Sequence, residues 1–118
     1  MATEILCDSH QINTTLKAHS AATTAKGFYV VGGNAVMAMN DADADADNVF
    51  VYEAPMVRVP KATGEAWTFG QKIYYSVANA NFTTTSTSNT LAGIVNEDAA
   101  SADAEGIIHL MPASVVNA

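Results

Sequence analysis

An alternating run of aspartates is the segment whose residue types and spacing come closest to a metal-binding pattern. From Asp41 to Asp47, aspartate alternates with alanine, and carboxylates two residues apart supply the first ligands of a calcium-binding loop. Further along, Asn48 occupies the glycine position of such a loop and Ala54 the position of its closing glutamate. The sequence therefore favours a solvated, self-repelling loop that keeps neighbouring strand edges apart, with cation binding as the alternative.

The other residues that could do chemistry are too dispersed to form a recognisable site. His10, His19 and His109 have no His-x-x-x-His spacing, and Cys7 has no second cysteine with which to share a metal. No serine lies in a Gly-x-Ser-x-Gly segment, and the glycines do not form a phosphate-binding loop. We therefore predict no catalytic residue, no metal and no cofactor, and we do not expect an enzyme.

The charge balance argues against nucleic acid and acidic membranes as partners. Twelve acidic against five basic residues give a formal net charge of -7, and the basic residues are scattered, so phosphate groups are repelled. The N-terminus lacks the basic opening and apolar core of a secretory signal, and no apolar run reaches the roughly 18 residues that span a bilayer. We expect synthesis in a cytoplasm and no membrane contact.

Short strands are the elements that would position these residues. Phe28–Val31 and Ala35–Met39 flank Gly32-Gly33-Asn34, which predicts a hairpin because glycine accepts the positive φ of a tight turn. Val57–Val59 lies between two prolines. Because proline cannot donate to a sheet ladder, that strand should lie at an edge or end at both prolines.

The spacing of these runs predicts the fold class. About seven or eight short strands recur at intervals of roughly 8 to 12 residues, which is typical of an all-β, small single-domain sandwich or partly open barrel. Residues 25–118 form this predicted domain. Residues 1–24 contain few large apolar groups and lack the strand pattern, so we expect an extended N-terminal arm, with a short helix from Thr14 to Ala22 as the alternative.

Candidate contact residues lie in the last half of the chain. Trp67 and Tyr74 stand among polar neighbours, where an aromatic ring either caps the core or anchors an interface. In the segment from Phe82 to Thr87, alternate residues form a polar, threonine-rich face. Such a face suits an edge strand that is solvated or pairs with another chain. We take Trp67, Tyr74, Phe82 and Thr84 as the predicted interface residues.

Five segments form an ordered series along the chain: Val57–Ala62, Gly70–Tyr75, Ala78-Asn79, Thr83–Val95 and Ile107–Leu110. This series resembles the capsid cement, or head decoration, proteins of tailed bacteriophages, and the resemblance covers residues 24 to 111. The chain departs from the family pattern at Gln71, Ser88 and His109, where the family tends to have Asp, Gly and Arg. These differences concern turn geometry rather than the order of the strands.

The resemblance implies a structural protein without an active site. Proteins of this family bind the outside of the DNA-filled head and bridge neighbouring shell subunits, so the implied partner is the major capsid protein lattice. The implied location is the outer capsid surface of the virion, after synthesis in the host bacterial cytoplasm. A homotrimer is expected, with a dimer as the alternative. The rival function is a free-standing β-sandwich that binds a glycan or a divalent cation through its loops.

Overall fold

The computed structural model describes residues 3–7 and 11–117. The predicted all-β class is confirmed, because these residues form nine strands and a single one-turn helix. Predictions that involve residues 1, 2, 8–10 and 118, among them the role of His10, lie outside the described residues. The elements are β1 (Glu4–Ile5), β2 (Asn13–Ala18), β3 (Phe28–Val31), β4 (Asn34–Ala38), β5 (Asp47–Pro60), β6 (Lys72–Ser76), β7 (Asn81–Thr83), β8 (Thr90–Val95), β9 (Glu105–Leu110) and α1 (Ala113–Val116). No described helix has the length and apolar character needed to cross a bilayer.

The long strand β5 organises the sheet. Its first half pairs with β2 and β4, and its second half pairs with β1 and β9. The prediction that Val57–Val59 lies at an edge or ends at both prolines is wrong, since β5 runs through Pro55 and is paired on both sides beyond it. The pairing with β9 shifts register between Ala54 and Val57. This interruption accommodates a residue that has no amide hydrogen to donate.

The predicted hairpin around the two glycines is confirmed. β3 and β4 pair antiparallel, with Val31 opposite Asn34. The two residues between them, Gly32 and Gly33, have φ angles of 60° and 78°. Two successive positive φ angles are the requirement of the hairpin turn whose twist matches its strands, and glycine meets it without a steric cost.

The sheet curls until its last strand meets the end of β5, so the partly open barrel is the form that this chain adopts. The strand order is β3-β4-β5-β9-β8-β6-β7. A parallel bridge joins Lys61, directly after β5, to Phe82 in β7, and the Ala62 amide donates to the Phe82 carbonyl over 2.8 Å. Inside the curl lies the main core, whose fully buried members include Trp67, Ile73, Phe82, Val95 and Ile108.

The predicted arm is more regular than its sequence indicates. Both β1 and β2 pair antiparallel with β5, so these two segments are extended, as expected, and they are also paired, which their residue pattern did not indicate. The alternative, a short helix from Thr14 to Ala22, is wrong, because β2 occupies Asn13–Ala18. β5 offers free backbone groups, and these can order a neighbouring chain whatever its side-chain pattern. The side chains of β2 are mostly exposed, which fits a strand laid along the domain. Whether the domain folds without the arm stays a prediction.

The threonine-rich strand is shorter than predicted. β7 ends at Thr83, and the chain then leaves the sheet. The Thr83 hydroxyl accepts from the Thr85 amide over 3.2 Å, and the Asn89 side chain donates to the Thr85 carbonyl over 2.9 Å. Short polar side chains compete in this way for the backbone groups that a strand would need, so Thr84 to Asn89 form a turn.

Candidate interaction surface

The structure separates the four predicted interface residues into two pairs. Trp67 and Phe82 are 1% and 0% exposed, so in the single chain their rings belong to the core and are not available to a partner. Tyr74 and Thr84 are half-buried at the surface. Sequence alone did not separate these pairs, because an aromatic ring beside polar residues fits either position.

Trp67 is fixed on several sides. Its backbone forms a two-way bridge with Ala99, with N–O distances of 2.9 and 3.0 Å. Its ring lies against Gly106 so closely that a Cβ at that glycine would stand 2.4 Å from the ring carbon Cζ3. The Lys61 ammonium lies 5.6 Å from the ring centroid, within range of a cation–π attraction. Trp67 lies in the segment after β5. It therefore connects this segment to β9 and to the loop that precedes β9.

The Glu65 carboxylate holds the threonine turn to Trp67. Its Oε1 accepts from the Trp67 indole over 3.0 Å and from the Thr84 amide over 2.8 Å, while its Oε2 accepts from the Thr83 hydroxyl over 2.9 Å. Burial raises the pKa of Glu65, but these three hydrogen bonds and the nearby Lys61 charge outweigh burial and hold the pKa below its ordinary value. The group is therefore ionised at neutral pH and fixes the position of Thr84.

Lys61 is an unusual cation because it is 1% exposed. Its ammonium donates to the Ala62 carbonyl over 3.0 Å and lies 3.4 Å from the carbonyls of Ser101 and Asp103. Three carbonyl dipoles compensate part of the desolvation of a buried ammonium. Lys61 thus connects the end of β5 to the loop before β9, and its role is structural.

A polar hollow of about 350 Å³ lies between the β6–β7 hairpin and the threonine turn. Its lining is made of hydroxyl, amide and small side chains, including Ser76, Asn79, Thr85 and Asn89. Such groups can donate and accept hydrogen bonds. No acid or base belongs to the lining, so the hollow suits contact with a polar surface.

A larger cleft of about 550 Å³ opens where β3 approaches the β6–β7 hairpin. Lys26 and Tyr29 line one side and Tyr75 the other, and the Tyr75 hydroxyl donates to the Phe28 carbonyl over 3.2 Å. Burial raises the pKa of Tyr75, and the nearby Tyr29 adds to that rise. Asn81 also lines the cleft, and its buried Oδ1 has no hydrogen-bond partner in the described part of the chain. The aromatic and amide side chains of this lining suit noncovalent binding of a partner surface.

Hydrogen bonds connect the acidic loop, Asp41 to Asp47, to the end of the arm. Thr23 and Ala42 exchange backbone hydrogen bonds of 2.9 and 3.0 Å, and Asp41 Oδ1 accepts from the Ala25 amide over 2.9 Å. The Asp45 amide donates to the His19 carbonyl over 2.7 Å. Among residues 3–7 and 11–117, no group of three or more His, Cys, Asp or Glu side chains is placed to hold a metal ion.

Sequence reasoning missed Phe69, the large hydrophobic residue with the greatest exposure in the described chain, 67%. It stands on a turn between Trp67 and β6, immediately before Gly70, whose φ is 92°. The available signal was the order of an aromatic residue followed by glycine. Glycine marks a turn, but the alternation Trp67-Thr68-Phe69 would place both rings on one face of a strand. The sequence therefore did not separate the exposed ring from the buried one.

The chain matches a known protein family. The profile of a family described as phage cement protein matches residues 7–110. Among curated proteins, no match was found. Among solved structures, likewise, none matches.

Proposed function

This chain belongs to the phage cement protein family, and we propose from that premise that it binds the outer surface of a phage head. There it stabilises contacts between neighbouring major capsid protein subunits. The match over residues 7–110 is the observation that carries the proposal. The match spans the arm from Cys7 as well as the barrel.

The physical basis of the proposal is linkage. A protein that binds only the assembled lattice stabilises it by RT ln(1 + [L]/Kd), about 2.7 kcal/mol per site when its concentration is a hundred times Kd. A shell repeats the same site many times, so the sum over the particle is large. A net charge of -7 disfavours the packaged DNA as the ligand, which supports a protein surface as the partner.

We propose that the protein acts as a homotrimer, with a dimer as the alternative. Symmetric oligomers cover exposed edges and polar hollows of a small domain with copies of the same surface. Tyr74 and Thr84 remain the proposed contacts from the predicted set, because they are half-buried and reach the surface. Sedimentation of the purified chain measures the number of copies directly.

Binding to heads is the test of the proposed function. Purified protein is added to expanded cognate heads that lack decoration, and the bound fraction and the thermal disruption temperature of the heads are measured. We expect saturable binding and a raised disruption temperature, with weaker binding to unexpanded shells. Unexpanded shells are the matched control, because they present the same protein in a different lattice.

The alternative function has its own signature in the same experiment. Saturable binding to a glycan array, without association with heads, would replace the proposed function by that of a glycan-binding module. Binding of calcium by the purified chain, without association with heads, would favour the module that binds a divalent cation.

A further inference from the structure

Phe69 is displayed on a turn whose backbone is fixed. All five consecutive amides from Trp67 to Gln71 donate hydrogen bonds. The acceptors are, in order, the Ala99 carbonyl at 2.9 Å, the Gln71 side chain at 2.7 Å, the Asp98 side chain at 2.7 Å, the Val95 carbonyl at 3.0 Å and the Thr68 carbonyl at 3.1 Å.

This rigidity matters for binding. An aromatic side chain has only two rotatable bonds, and a fixed backbone beneath it leaves little conformational entropy to lose when a partner covers the ring. Phe69 keeps 67% of its surface in water although the core lies two residues away at Trp67. A ring held outward in this way is suited to fill a pocket on a partner.

The surface next to Phe69 is acidic. Asp98, which accepts from the Phe69 amide, also lines a hollow of about 230 Å³ together with Glu97, Asp103 and Glu105. The basic residue of that hollow, Arg58, is paired with Glu4 of the arm. The hollow therefore carries a net negative charge beside an exposed aromatic ring.

We propose that the Phe69 turn, Thr68 to Gln71, is the anchor by which this protein docks on the shell protein, its ring entering an apolar pocket whose rim is basic. The proposal deepens the proposed function and rests on it. The ring supplies the buried contact area, and the neighbouring carboxylates select a pocket bordered by lysine or arginine. An uncharged or acidic rim would leave these carboxylates facing apolar or like-charged groups, which disfavours the contact.

Two consequences follow for the measured binding. Removal of the ring raises the dissociation rate, since a central aromatic anchor typically carries a factor of about 30 or more in affinity. Removal of nearby charge slows association and weakens its dependence on salt, because rim charges act chiefly on encounter. The two effects separate the ring from its acidic surroundings.

The test measures binding of the full chain to undecorated expanded heads. Phe69→Ala is expected to weaken binding by about 30-fold, and Phe69→Leu to give an intermediate loss. Val77→Ala is the matched control, since Val77 is 66% exposed on the β6–β7 turn, and it is expected to bind like the unmodified protein. Unchanged thermal unfolding of all three variants shows that the fold is intact.

The charge arm of the test uses Glu97→Gln combined with Asp98→Asn. The asparagine oxygen still accepts from the Phe69 amide, so the turn is kept while two charges are removed. We expect association to slow by about tenfold at low salt and its salt dependence to flatten. An unchanged salt dependence would overturn the basic-rim part of the proposal.

The remaining outcomes are distinguishable. If the unmodified protein does not bind heads, the proposed function and this proposal both fall. If it binds and Phe69→Ala binds equally well, only the Phe69 proposal falls. If Phe69→Ala changes the number of copies in the free protein, the ring belongs to a contact between copies, and the shell pocket is refuted.

Discussion

Two strands that pair with β5, β9 on the barrel side and β2 in the arm, differ in what their side chains do. In β9, buried and half-buried side chains alternate from Glu105 to Leu110. In β2, five of the six residues are exposed and none is buried. Both make antiparallel ladders with the same strand. Backbone pairing thus orders a segment, but burial of alternate side chains is what makes it part of the core.

The largest expected effect lies on the barrel side. A Cβ at Gly93 of β8 would stand 2.0 Å from the carbonyl oxygen of His109 in β9, and the φ of Gly93 is 150°. Gly93→Ala therefore has to push the two backbones apart, and we expect a loss of more than about 3 kcal/mol in unfolding free energy. Denaturant unfolding measures it.

Gly64→Ala is the control for that substitution. Gly64 has a φ of 89°, but a Cβ added there would meet no neighbouring atom within 4 Å, so only backbone strain remains, about 1 kcal/mol. Equal losses at the two glycines would show that close strand approach contributes nothing and that the barrel is looser than its packing indicates.

A smaller loss is expected from removal of the arm. A chain that starts at Ala25 loses the packing of Ile5 and Ile12 on the core, each worth about 1 kcal/mol because both are only partly buried. We expect its circular dichroism to remain β-type and its unfolding free energy to fall by about 2 kcal/mol. An unfolded truncated chain would mean that the arm is an essential part of the core and that the boundary at residue 24 is misplaced.

The same contrast between local residue pattern and tertiary pairing determines how much of the fold could be predicted from the sequence. The β3–β4 hairpin was accessible because Gly32 and Gly33 impose a local turn. The course of β5 through Pro55 was not predictable, because the register shift that accommodates the proline arises from pairing with β9, which lies far along the chain. The burial of Trp67 depends on Gly106, far along the chain. Local chemistry was therefore predictable, whereas burial and edge positions required the tertiary pairing.

Glu65 gives a pH-dependent prediction within the barrel. Its folded-state pKa lies below the unfolded value, so the ionised group stabilises the fold above the unfolded pKa. That contribution is lost as the pH falls from the ordinary glutamate pKa through the lowered folded-state pKa. Glu65→Gln should cost about 1 to 2 kcal/mol at neutral pH, because it loses charge-assisted hydrogen bonds.

The measurement is unfolding free energy between neutral pH and about pH 3 for both proteins. The difference in unfolding free energy between the unmodified protein and Glu65→Gln should become smaller as the pH falls. Glu97→Gln serves as the control, because Glu97 is an exposed glutamate outside this network. A gap that stays constant with pH would show that the Glu65 charge does not hold the threonine turn.

The smallest effect is expected in the acidic loop on the arm side. Asp43, Asp45 and Asp47 are exposed, and the hydrogen bond from this loop to His19 uses the Asp45 backbone amide, which substitution by asparagine leaves in place. Replacing all three by Asn removes mutual repulsion and should change the unfolding free energy by no more than about 0.5 kcal/mol. Calorimetric titration with calcium supplies the opposing result: a site tighter than about 10 μM that disappears in the substituted protein would establish a cation site. The loop would then rely on its carboxylates for a ligand, and the arm side would contain a functional centre rather than a solvated connection.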